Sequence, residues 1–146
     1  MSITMKKYFL LALLFSCFVG FSACDDDDSE MTMDMMPDYQ ASIIAPNADD
    51  KKVGDKINIE VVFEDKNGGT VHHAKVRIVN EADGTEIYNA PDAAHVHETS
   101  GKYTFTDELT LDVNGHSDWM LIAKVWGHDA GAHELSDTLH FHVHPQ

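Results

Sequence analysis

Between Tyr39 and His144 apolar and polar residues alternate with a period of two, in short runs that end in turn-forming residues. The run YQASIIAP predicts a first strand. In DKINIEVVFED, Ile57, Ile59, Val61 and Phe63 share one face. The turn KNGG follows, and then VHHAKVRIVN, with Ala74, Val76 and Ile78 on one face and His73, Lys75 and Arg77 on the other. EADG turns the chain into TEIYNA, the fourth strand. PDAAHVHETSG reads as a loop. KYTFTDELTLDV is the fifth strand, with Tyr103 and Phe105 on one face. NGHSD leads into WMLIAKVWGHD, and DAGAHE turns into LSDTLHFHVHP. No long stretch carries the helical period.

About seven strands in residues 38–146, with turn signals every 8 to 12 residues, predict an all-β immunoglobulin-like (fibronectin type III-like) β-sandwich. Pro37, Pro46, Pro91 and Pro145 all fall at strand ends or in loops, where no ladder hydrogen bond is lost.

The amino-terminal segment has a different character. Lys6 and Lys7 precede an apolar run from Tyr8 to about Phe21, too short for a comfortable membrane span. FSAC then resembles the lipobox of bacterial lipoproteins. That resemblance implies a signal peptide over residues 1–23, cleavage before Cys24 and lipid on the Cys24 sulfur. Cys17 is a poorer match, because Phe15 stands where a small residue is usual. Cys17 and Cys24 are the only cysteines, so the expected mature domain has no disulfide and depends on its core.

The run DDDDSE after Cys24 resembles the surface-export tag of Bacteroidota lipoproteins, which implies a lipid-anchored protein on the outer membrane, facing outward. Physically it is also a self-repelling spacer, so residues 24–37 read as an acidic linker. Met31, Met33, Met35 and Met36 lie in it; thioethers at this spacing suit Cu(I). The net charge of −15 argues against nucleic acid as a partner and favours cations.

Residues 38–146 resemble the immunoglobulin-like domains of Bacteroidota surface lipoproteins, often His-rich, on the strength of WMLIAKVWGHDAGAHELSDTLHFHV. VHHAKVRI and SGKYTFTDELTLDVNGHSDWML carry a more distant likeness to YtkA-like domains. Neither likeness implies a reaction.

All 10 histidines lie in this domain. In a sandwich of this kind the second-to-third, fourth-to-fifth and sixth-to-seventh connections share one pole. His72 and His73, His95 and His97, and His128 and His133 are therefore expected to gather there. Neutral imidazole is a common ligand of zinc, copper and nickel, and three or four must converge on one ion. The candidate metal ligands are His95, His97, His128 and His133, with His73 as a fifth. Glu98 is a candidate oxygen ligand, and Asp129 a turn residue or the partner of a ligand.

His140, His142 and His144 alternate on the last strand, opposite core-facing Leu139, Phe141 and Val143, and form a possible second metal row. His144 should approach the far pole near His116. Lys124 is expected close to His140, where it would discourage a cation.

No nucleophile elbow, phosphate loop or HExxH base placement is present, so no catalytic residues and no enzyme activity are expected. The sequence thus points to a surface module that takes up zinc or copper. Two alternatives stand beside it. One is a metal-free adhesive module that meets a surface protein or glycan through Met120, Ile122 and Trp126. The other is a pH-responsive surface, since ten imidazoles titrate near pH 6.5.

Overall fold

The computed structural model describes residues 36–128 and 133–146. The expected signal peptide, the expected lipidation site at Cys24, most of the Met-bearing linker and Asp129 lie outside the described residues.

Nine strands are formed among the described residues: β1 (Tyr39–Ala45), β2 (Lys51–Lys52), β3 (Lys56–Asp65), β4 (Val71–Asn80), β5 (Glu86–Ala90), β6 (His95–Glu98), β7 (Lys102–Thr110), β8 (Ser117–Trp126) and β9 (Leu135–His144). One sheet has the order β1-β3-β7. The other has the order β2-β9-β8-β4-β5, with β6 also paired to β4. All pairings are antiparallel except β2 with β9.

The alternation in the sequence becomes the core. Ile57, Ile59, Val61 and Phe63 of β3 face Val76 and Ile78 of β4, Leu121 and Val125 of β8 and Val143 of β9, all buried in one cluster. Burying each such side chain is worth about 1.5–3 kcal/mol, so these inward stripes set which face of every strand turns inside.

Two strands exceed the seven expected. β2 is a two-residue parallel addition at the β9 edge. β6 forms inside the segment read as a loop. The reason is geometric. β5 covers only Val76–Val79 of β4, which leaves the first residues of β4 with an unpaired edge. After Pro91 the chain returns along that edge, pairing Glu98 with Val71 and His95 with His73. Four residues with one apolar member, Val96, give no period to read.

Asp65 closes β3 and is buried. Its Oδ1 accepts the Asp38 and Asn67 amides at 3.0 Å each. A Cβ at Gly69 would lie 2.4 Å from its Oδ2, so the turn into β4 needs glycine there. This carboxylate therefore sets the path by which the chain reaches His72.

Candidate metal centres

Beside the β4 start, the ladder to β6 is irregular: β4 advances two residues from Val71 to His73 while β6 advances three from Glu98 to His95, so the extra residue lies in β6, where His97 has φ of 49°. Val71 and Ala74 are both buried, which strict alternation forbids. A β-bulge re-aims side chains in this way. Here His72 faces His97 and His128, with ring centroids 5.3 and 5.4 Å away. In β6, His95 and His97 lie on one face with centroids 3.8 Å apart. One nitrogen from each of His72, His95 and His97 lies within 4.8 Å of the others. A tetrahedral zinc with Zn–N of about 2.0–2.1 Å needs nitrogens about 3.3 Å apart, so small side-chain rotations close the gap. His128 stands beside His72 but is not among the three converging donors.

Nδ1 of His72 is buried and has no hydrogen-bond partner among the described residues. An orphaned polar atom costs about 1–3 kcal/mol, and a metal ion is one way to relieve it. Desolvation, followed by the neighbouring His97, His128 and His73, holds His72 below the usual imidazole range. His95 is lowered for the same reasons, desolvation first and then His97, His73, His72 and His128. Both shifts favour the neutral, ligating form. Glu98 is turned away, accepting the Ser100 amide at 2.9 Å.

The expected ligand set and the structural group differ in membership. The structure brings His95 and His97 together and sets His128 beside His72. His72 takes the position for which His73 was the candidate. His73 is half-buried, stacks on Trp126 (5.1 Å, 6° between planes), and its Nδ1–H donates to the Gly127 carbonyl at 2.9 Å. Its ring is 4.5 Å from that of His95, so it braces the group from behind. His133 is not in the group of converging donors. By strict alternation with Ala74, Val76 and Ile78, His72 reads as a core-side residue.

A second group lies at the other pole, where His116, His142 and His144 each offer one nitrogen within 4.8 Å of the others. The expected row of His140, His142 and His144 is split: Nδ1–H of His140 donates to Glu81 at 2.7 Å, away from the group. Lys124 is not near His140. The β8–β9 register sets Met120 opposite His140 and Lys124 opposite Ser136, and Lys124 pairs with Glu134 at 2.6 Å. Strand twist and register, not face alone, decide such neighbours. Met120, Ile122 and Trp126 are half-buried rather than exposed.

Among solved structures the chain is similar to the CARDB domain of a Pyrococcus furiosus protein, at 19% identity and TM-score 0.51, covering 75% of this chain and 96% of that one. The fold is immunoglobulin-like. Looser superpositions, too loose to argue from, are to murine CRIg (9% identity, TM-score 0.39, 73% and 98% of the two chains) and to a β-glucosidase from Listeria innocua (11% identity, TM-score 0.43, 75% and 17%). No protein-family model and no curated protein matches the chain.

The lowered values of His72 and His95 have a consequence for stability. An unfolded chain protonates these imidazoles near pH 6.5, but the folded chain does so only at lower pH. Between the two values the unfolded state binds more protons, so folding stability falls as pH drops below about 6.5 and is fully retained above it. In chelator, the loss of melting temperature from pH 7.5 to 5.5 should be smaller in a His72→Gln, His95→Gln double variant than in the parent. An equal loss in both would contradict it.

Proposed function

We propose that this domain captures a zinc-class transition-metal ion, zinc or copper, at the pole where His72, His95 and His97 converge, with His128 as fourth ligand. The observation that carries the reading is the convergence of three imidazoles from two strands, two of them biased to the neutral form. The lipobox ending in Cys24 and the acidic run behind it support a lipid-anchored position on the outer membrane, where such a module would scavenge or buffer metal. Nothing in the reading requires a catalytic step.

Calorimetric titration of the chelator-treated protein with zinc at pH 7.4 tests it. The expected result is a site tighter than about 1 μM, worth roughly 8 kcal/mol, and lost with His95→Ala plus His97→Ala while the strand circular dichroism persists. Weak, multi-site uptake indifferent to that pair would sink the reading. The metal-free adhesive module, with a protein or glycan partner, would then take its place.

A further inference from the structure

The opposite pole carries its own constellation, assembled from four segments. β2 runs parallel to the end of β9, pairing Lys52 with His144, and so brings Asp50 beside that ring. His144 Nε2–H donates to Asp50 Oδ2 at 3.0 Å. On β8, Asp118 lies opposite His142, and His142 Nδ1–H donates to Asp118 Oδ1 at 2.6 Å. His116 comes from the turn before β8, with ring centroids 6.1 Å from His142 and 5.9 Å from His144. That turn is pressed onto the chain end: a Cβ on Gly115 would lie 2.6 Å from the Pro145 nitrogen. Only glycine lets His116 approach so closely, and His116 itself has φ of 57°, in the left-handed region.

Each carboxylate takes one ring nitrogen and leaves the other free. His142 keeps Nε2 for an ion and His144 keeps Nδ1. Carboxylate–imidazole pairs of this kind orient metal ligands and raise their basicity. The Lys51 ammonium nearby is drawn off to Asn47 and Asp49. The two carboxylates balance the charge of a divalent ion, whereas Glu98, next to His97 in sequence, accepts from the Ser100 amide.

We propose that His116, His142 and His144 form a second binding site for a zinc-class divalent ion, with Asp118 and Asp50 as the hydrogen-bond partners that hold the rings. The full length of β8 separates it from the first group, about 30 Å at about 3.3 Å per residue, so the two ions bind independently.

Zinc retained after dialysis against a buffer that holds free zinc at about 10 μM, counted per chain, tests this. The parent should hold two ions and His97→Gly one, at the second site. His97→Gly with His142→Ala should hold none, and Asp118→Asn should weaken the second site by about 10–100-fold without moving the first. No zinc on the His97→Gly protein, or zinc that survives the added His142→Ala, would overturn the second site. His116→Gly separates this from the first site: if it holds none while His97→Gly holds one, the first site has failed and the second stands. Both glycine variants replace a residue at positive φ, and far-UV circular dichroism reports whether each has folded.

Discussion

Zinc at about a hundredfold over its dissociation constant should raise the melting temperature of the chelator-treated protein by about 10 °C per occupied site. A ligand that binds only the folded state stabilises it by about 2.7 kcal/mol at that excess. A domain of this size moves by about 4 °C per kcal/mol. Chelator should return the melt to its starting point. At the first pole the gain should vanish in His97→Gly, and that variant is a clean one. His97 has φ of 49°, which costs a non-glycine residue about 1–2 kcal/mol. Glycine removes that strain, while its extra freedom in the unfolded chain costs about 0.5–1 kcal/mol. The two nearly cancel, so the metal-free variant should melt within a few degrees of the parent. A variant that lost zinc and also melted far below the parent would mean that the His97 ring serves packing instead of metal.

Asp65→Ala should destabilise the domain by about 3 kcal/mol, or more than 10 °C. The buried carboxylate accepts two backbone amides, from Asp38 and Asn67, through one oxygen. Hydrogen bonds to a charged group are worth about 1.5–3 kcal/mol each, and alanine leaves both amides without a partner. The two losses overlap, so they are not summed in full. Asp65→Asn keeps an oxygen in the accepting position and should cost about 1 kcal/mol. Equal costs for the two variants would show that it is the charge, and not the two accepted bonds, that matters. Because Asp65 fixes the turn into β4, Asp65→Ala should also weaken zinc at His72, a loss visible in the same titration.

The period-two stripes of β3, β4, β8 and β9 determined the sandwich. Ile57 to Phe63, Ala74 to Ile78 and Phe141 with Val143 can be buried together only if their strands face one another across two sheets. The sandwich in turn determined that His95, His97 and His128 share one pole, and that His144 ends near His116. What the sequence could not specify was every feature that depends on pairing rather than on pattern. β6 exists because β5 leaves part of the β4 edge open, and its own residues carry no strand signal. His72 joins His95 and His97 where a bulge sets three residues of β6 against two of β4, and a bulge changes register without leaving a mark in the order of apolar residues. The same holds at the other pole. Asp50 and Asp118 are distant in sequence, and they reach His144 and His142 only through the β2–β9 and β8–β9 registers. Burial energy chooses the face of a strand. Hydrogen-bond register chooses its neighbours, and here it is the neighbours that make a candidate metal site.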